Sequence, residues 1–471
     1  MVFEAQTREP LKMHVFTESN SRLHQIFIAF SFCALVFAAW HFVPHPGIVI
    51  LISLIPLAII FTLKKPLIMV TLFVVFSFFR IHEAIEVLMP LRLPQLLSLA
   101  ALAGLGWGLF ITKSIKPWWS KEMSYLVTFF SLVTIGLVFT PSKDVAITFF
   151  TSVYWKVVLM TFAIAWLIRK KSDFKFISTT IMLGGLIIGT KALYNKVNEI
   201  GLVEGTRVTI GRDFGSILGD PNDLSLVLMF PMAFAIANLL SDKVSYLWRF
   251  FSLLLVILLF SAVIATQSRG GLLGIMAVFG VFFYQRVKNK LLFFSLGAVA
   301  AAVLYVAAGI SGRQSGGAHE EGIDESAAGR LYAWEAAISM AIHKPLTGVG
   351  VSSFYYNYFD HSNYWDGKPH AVHSTWFGVL AETGILGFWV FMAFIISLGK
   401  KAYRTRELAK QHFDKLGLEI HIISQAAFAG FLGTAATATF LTHGFSWPFY
   451  IFGALIMAAD HMVKNILQKP A

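Results

Sequence analysis

The feature that most constrains this chain is a succession of apolar runs, each near the length of a membrane-crossing helix, separated by short clusters of Lys and Arg. A hydrocarbon core about 30 Å thick is crossed by ~20 apolar helical residues, fewer where neighbouring helices shield the run. Backbone N–H and C=O groups find no water there, so runs of this kind become helices that pair their own backbone. The runs fall at 23–43, 47–63, 66–79, 93–111, 123–139, 145–168, 174–194, 221–240, 248–267, 271–285, 291–310, 375–399, 421–441 and 446–461. The third is short enough to be re-entrant and the sixth carries Lys156. The expected fold is therefore all-α: a polytopic integral membrane helical bundle with about 12–14 transmembrane helices.

Composition agrees. The chain is 56% hydrophobic and 14% charged, against about 25% charged in soluble domains. Its 45 Phe and 12 Trp suit lipid-facing and interfacial surfaces. Residues 1–22 are polar without a cleavage-site pattern, so the first run reads as a retained span rather than a signal peptide. The one cysteine, Cys33, lies inside that run, which excludes a disulfide within the chain.

A net charge of +12 invites a nucleic-acid partner. Its distribution argues against one, because the cations sit in clusters between apolar runs, where they set orientation. Lys64-Lys65, Lys113/Lys116/Lys121, Arg169-Lys170-Lys171, Lys243, Arg286/Lys288/Lys290 and Lys400-Lys401/Arg404/Arg406 follow the even-numbered runs. The loops after the first, fifth and thirteenth runs hold only Lys143. By the positive-inside rule both termini and the even loops are expected in the cytoplasm.

Two connections on the opposite, outer side are long, 195–220 and 311–374. Long connections in compact proteins usually carry function. The larger opens with a Gly/Ser-rich acidic piece, 311–328. A helical stretch follows, with Leu331, Trp334, Ile338 and Ile342 at helical spacing, until Pro345 ends it. Aromatic residues from Phe354 to Trp365 then lead to His370 and His373.

The outer side gathers polar groups that are rare elsewhere in this chain. His373 stands where the large loop meets an apolar run. Ser374 is placed to cap that run, and Gly384 and Gly387 lie three residues apart on one face of it, a spacing suited to close helix packing. Arg269 lies in Thr266-Gln267-Ser268-Arg269-Gly270-Gly271, a tight turn between two runs. Arg330 opens the loop helix, one turn before Trp334. Arg207 and Arg212 precede Asp220-Pro221-Asn222-Asp223. Arginine forks match phosphate oxygens and stay charged, while histidine accepts protons near neutral pH. Together they suit displacement of a phosphate-type leaving group by a hydroxyl, with the arginines stabilising charge on the leaving group.

Plainer readings stand beside these. Arg269 also reads as a turn residue reaching phospholipid headgroups, Arg330 as a partner for Glu335, and Asp220-Pro-Asn-Asp223 as a helix N-cap. Asp360, His361, Asp366, His370 and His373 have no standard metal-ligand spacing, so no metal site is expected. Gly348-Val349-Gly350 lacks the Lys-Ser/Thr of a phosphate loop. A transporter for a lipid-linked substrate would also need basic groups facing a cavity, but at mid-membrane depth on both sides.

Four pieces in order resemble the bacterial O-antigen ligase and O-antigen polymerase superfamily of lipid-linked glycan transferases. They are Gly219-Asp220-Pro221-Asn222-Asp223, Gln267-Ser268-Arg269-Gly270, Gly329-Arg330 through Trp334 to Gly348-Val349-Gly350, and His373-Ser374 followed after nine residues by Gly384-Ile385-Leu386-Gly387. The resemblance covers about residues 200–395. It implies an inner-membrane glycosyltransferase, inverting and metal-independent, that needs no cofactor and works at the periplasmic face. The implied donor is a glycan on undecaprenyl pyrophosphate. The implied acceptor hydroxyl belongs to lipid A core, to a second lipid-linked glycan, or to a protein; the first makes a ligase, the others a polymerase or a protein O-oligosaccharyltransferase. The family's catalytic histidine maps onto His373 and its arginines onto Arg269 and Arg330. Arg207 or Arg212, with Asp220, Asn222 and Trp334, are implied substrate-binding groups. The expected organisation is an N-terminal set of transmembrane helices over 1–194, a catalytic region over 195–399, and C-terminal transmembrane helices over 400–471.

Overall fold

The computed structural model describes residues 27, 29–38, 40–42, 46–284, 286–307, 327–365, 367 and 369–468. Residues 1–22, part of the first expected run, nearly all of the acidic 311–328 segment and Asp366 lie outside them. Among the described residues the only extended pairing is a single bridge between Val203 and Arg207, and every expected run is helical over most of its described length.

Two compact units divide the chain, residues 1–64 and 65–471. The first contains α1 (Pro46–Lys64), whose exposed Ile50, Leu54, Leu57 and Ile60 suit lipid contact. The second contains α2 (Pro66–Ser77), α3 (Leu93–Gly106), α4 (Lys121–Phe139), α5 (Lys143–Leu167), α6 (Lys171–Val197), α7 (Pro221–Leu239), α8 (Tyr246–Thr266) and α9 (Arg269–Tyr284). It continues with α10 (Lys290–Ala307), α11 (Ala327–His343), α12 (Thr375–Gln411), α13 (Leu418–Thr437) and α14 (Trp447–Leu467). Among the described residues, eight helices are long and apolar enough to cross a membrane: α3 with its terminal π turn, α4 to α8, α12 and α13. The helices of the other expected runs do not by themselves combine this length and hydropathy, and α14 carries Asp460, His461 and Lys464.

Helix starts follow local chemistry. Pro66, Pro94, Pro221 and Pro448 occupy first-turn positions, where the missing N–H costs no hydrogen bond. Asp220 caps α7, its Oδ1 accepting from the N–H of Asn222 at 2.6 Å and of Asp223 at 3.4 Å. α7 lies at the centre, 83% of its apolar window buried against 22% for α3. Close approach is bought with small residues. A Cβ on Gly185 of α6 would collide with Pro231 of α7, and one on Gly271 of α9 with Ser225 of α7. A Cβ on Gly433 of α13 would come within 3.1 Å of the Gly274 carbonyl of α9.

These contacts bring the starts of α7, α9, α12 and α14 to one end of the bundle. The ends of α4, α6, α8 and α13 meet them there. Thr140, just past α4, donates to the Val349 carbonyl at 2.5 Å, and Asn195 of α6 donates to the Thr209 carbonyl at 2.8 Å. Val208 N–H donates to the Ala265 carbonyl of α8 at 3.0 Å, and Thr375 N–H to the Ala438 carbonyl at 2.9 Å.

Candidate functional site

The loop from 344 to 374 is tied to α12 at a break in that helix. The expectation of one continuous helix face through Gly384 and Gly387 does not hold, because Gly384 has φ +69° and ψ −175°. The break frees backbone groups of 381–386, and the loop takes them. Val349 N–H donates to the Ala381 carbonyl at 2.9 Å, Gly350 N–H to the Glu382 carbonyl at 3.1 Å, and Leu386 N–H to the Pro345 carbonyl at 3.3 Å. Only glycine fits both faces of this contact. A Cβ on Gly384 would stand 2.5 Å from the Pro345 carbonyl oxygen, and one on Gly348, at φ +63°, would stand 2.5 Å from the Glu382 carbonyl carbon. The Gly-Val-Gly motif is thus a backbone clasp on the broken helix.

The Glu382 side chain completes the clasp. It is buried, and its two oxygens accept the N–H groups of Ser352 at 2.8 Å and Phe354 at 3.2 Å. The loop helix α11 is docked from the other side. Trp334 Nε1 donates to the Val372 carbonyl at 3.1 Å, and its ring stacks on Phe377 at 4.9 Å between centroids. His373 is held between these anchors at φ +41°, a conformation uncommon for a side chain larger than glycine. Strained backbone of this kind persists where the surroundings over-determine it, often at functional sites. Helix α12 begins at Thr375 with Ser374 as its cap residue. The Ser374 hydroxyl makes no capping bond, contrary to expectation. Thr375 fastens the start instead, donating to the Leu441 carbonyl at 2.6 Å and accepting the His443 N–H at 2.8 Å.

His373 lines a cavity of about 480 Å³ together with Arg80, Asp220, Asp223, Glu382 and His443, a volume in the usual range for small-ligand sites. Each carboxylate in it has an internal partner. Glu382 holds the loop, Asp220 caps α7, and Asp223 Oδ1 lies 2.9 Å from His443 Nε2. His443 Nδ1 shares a hydrogen bond with Ser446 Oγ at 2.8 Å. Arg80, at φ +52°, forms a two-point ion pair with the buried Glu83, which also accepts from Ser216 Oγ. His82 beside them is kept below the ordinary histidine pKa by burial first, against the pull of Glu83.

Of the titratable residues singled out in the sequence, His373, Asp220 and Asp223 line this cavity. Arg330 stands on its flank, with Cζ 5.8 Å from the centre of the Phe440 ring; the lining residues Leu441 and His443 follow directly. Glu335 accepts from Asn363 Nδ2 at 2.7 Å. Arg269 is exposed at the start of α9 on the same flank, because a Cβ on Gly270 would touch Phe440 at 3.4 Å. Arg207 is 1% exposed and serves as a tie. Its Nε donates to the Thr266 carbonyl at 3.2 Å and its Nη2 to Asn222 Oδ1 at 3.0 Å. Arg212 is exposed, with Nη1 3.5 Å from the Gly219 carbonyl. His370 is buried against Tyr358, and among the described residues no group of three or more His, Cys, Asp or Glu could hold a metal ion. Arg80, His443 and Glu382 were not singled out from the sequence. Arg80 and His443 share one signal, a polar group just beyond an apolar run.

Fold and site together define a polytopic, all-helical membrane protein with a polar cavity at one end of its bundle. Residues 254–392 match the family model of O-antigen ligase. That span is similar to the O-antigen ligase domain, and it contains Arg269, Arg330, Trp334, Glu382 and His373. The resemblance seen in the motifs thus stands, and it supports a transferase of the ligase/polymerase type acting on lipid-linked glycans. Comparison with curated proteins gives no significant match.

Proposed function

We propose that the chain transfers a glycan from undecaprenyl pyrophosphate to an acceptor hydroxyl at the periplasmic face of a bacterial inner membrane, most simply to lipid A core as an O-antigen ligase. One observation carries the reading. Within the matched domain, His373 is strained into a carboxylate-lined cavity whose flank bears Arg330 and Arg269. The two sides suit different parts of the reaction. Carboxylates and histidines bind sugar hydroxyls, while arginine forks match pyrophosphate oxygens.

In the proposed step the acceptor oxygen attacks the anomeric carbon as the bond from that carbon to the pyrophosphate oxygen breaks. The acceptor proton passes to His373. Undecaprenyl pyrophosphate leaves with the bonding electron pair, its charge stabilised by Arg269 and Arg330. A single displacement inverts the anomeric carbon. Bond energy in the donor drives the transfer, so no nucleotide is required at that face. Asp220 and Asn222 shape the acceptor side, Trp334 positions His373 through Val372, and the exposed Arg212 borders the donor.

The test is transfer by purified protein given lipid-linked glycan and, separately, lipid A core, a second lipid-linked glycan, or a protein acceptor. His373→Ala is expected to lower turnover by about 10²–10⁴-fold, the usual loss on removing a general base. The productive acceptor distinguishes ligase, polymerase and protein-glycosylating activities. Transfer at wild-type rate in His373→Ala refutes the mechanism, and lipid movement without bond cleavage replaces it with transport.

A further inference from the structure

A second cavity, of about 740 Å³, lies at the opposite end of the bundle from His373. Its walls are the 114–118 turn before α4, the start of α6 and the last turns of α14. We propose that it binds the phosphate-bearing headgroup of an anionic phospholipid. Nothing in the transfer reaction uses it.

Four cations line it, Lys116, Arg169, Lys170 and Lys171, and among the described residues no Asp or Glu does. Their charge is not cancelled by the partners they have. Arg169 Nη1 donates to the Ser114 carbonyl at 3.1 Å and Lys171 Nζ to the Lys415 carbonyl at 2.8 Å, both neutral acceptors. The two carboxylates nearest in the chain do not pair with the side chains of these four cations. Asp173 Oδ2 accepts the backbone N–H groups of Arg169 and Lys170, each at 2.8 Å. Asp460 Oδ2 lies 2.9 Å from Lys401 Nζ and 2.7 Å from Lys464 Nζ.

The rest of the cavity is built for a lipid. Trp118 stacks on His461 at 4.3 Å with planes 8° apart, and Trp166 Nε1 donates to the Trp118 carbonyl at 2.9 Å. Two indoles are thereby fixed beside the cations, and indoles are the side chains enriched where headgroups meet acyl chains. Orientation alone needs only the number of cations. It does not need a concave, aromatic-walled pocket free of carboxylates, which is the form expected of an anionic headgroup site.

The test uses the full chain in detergent, titrated separately with dioleoyl phosphatidylglycerol, dioleoyl phosphatidylcholine and inorganic phosphate while the melting temperature is followed. Phosphatidylglycerol alone is expected to raise it, by mass action on the folded state. Lys116→Gln combined with Lys170→Gln is expected to weaken phosphatidylglycerol binding by about 30-fold, the usual contribution of two basic side chains at an anionic headgroup. Equal stabilisation by phosphatidylcholine, or by inorganic phosphate, overturns the proposal, the latter by making this a free-anion site. Unchanged affinity in the double variant also overturns it. Should that variant melt early without lipid, Lys170→Gln alone and lipid retention by the wild-type protein in native mass spectrometry give the same decision: preferential retention of phosphatidylglycerol supports the site, and indifference refutes it.

Discussion

Replacing Glu382 tests whether the broken helix and the loop above it form one device. Its carboxylate accepts the N–H groups of Ser352 and Phe354 in a buried setting. Glu382→Ala leaves both donors without an acceptor. Each orphaned buried donor costs about 1–3 kcal/mol, which sums to about 2–6 kcal/mol. Removing the charge also relieves the cost of burying it, so the lower half, about 2–4 kcal/mol, is expected. Glu382→Gln keeps one carbonyl acceptor but turns an NH₂ toward the other donor, so about 1–3 kcal/mol is expected. Against a total stability of about 5–15 kcal/mol, these are large fractions.

The two assays are denaturant unfolding of the purified protein and limited proteolysis of the 344–374 loop. Unfolding midpoints should fall in the order wild type, Gln, Ala. The loop should be cut faster in the same order, since the clasp at Val349 and Gly350 depends on the same segment. Because Glu382 also lines the cavity, lost transfer by itself would not separate support from chemistry; the proteolysis rate does. An Ala variant that unfolds like wild type with an equally protected loop refutes the reasoning.

Trp334→Phe keeps the stack on Phe377 but loses the hydrogen bond to the Val372 carbonyl; it should cost about 1 kcal/mol and lower kcat several-fold. In a His373→Ala background the same change should have little further effect on transfer, because a positioning residue acts only through the group it positions. Arg207→Lys retains the charge but cannot reach both the Thr266 carbonyl and Asn222. It should destabilise the chain by about 1.5–3 kcal/mol, read by thermal unfolding, with no change in KM if Arg207 is a tie rather than a donor contact.

Much of the architecture was legible in the sequence because a membrane leaves few choices. Apolar length predicts a helix wherever backbone groups lack water, and each described run is one. The cap at Asp220 was legible for a local reason, since its carboxylate serves N–H groups two and three residues on. Features made by distant segments were not. Gly384 and Gly387 have the spacing of a packing face, and only the approach of the Pro345 carbonyl turns one of them into a helix break. Glu382 reads as an acidic residue in an apolar run, and nothing local tells of Ser352 and Phe354 above it. Arg80 and His443 reach the cavity from segments outside the motif region, so periodicity and motif spacing pass over them.

The cavity holds a second histidine, and its geometry bears on which one takes the proton. Asp223, His443 and Ser446 are strung at 2.9 and 2.8 Å, an arrangement that elsewhere activates a serine nucleophile. Here both ring nitrogens of His443 face protein groups, which leaves neither for an incoming hydroxyl. Ser446 is also the cap residue of α14, and His443 is anchored through its N–H to Thr375 at the start of α12. The trio therefore joins α7, α12 and α14 around the cavity, as a frame would. His373 differs on each count: among the described residues it has no side-chain partner, and its backbone is strained toward the cavity. The two assignments also predict different products. Attack through Ser446 would pass by a glycosyl-enzyme and two inversions, retaining the anomeric configuration, whereas proton removal by His373 in a single displacement inverts it. The configuration of the new glycosidic bond thus decides between the histidines without any substitution, and the frame reading of His443 requires inversion.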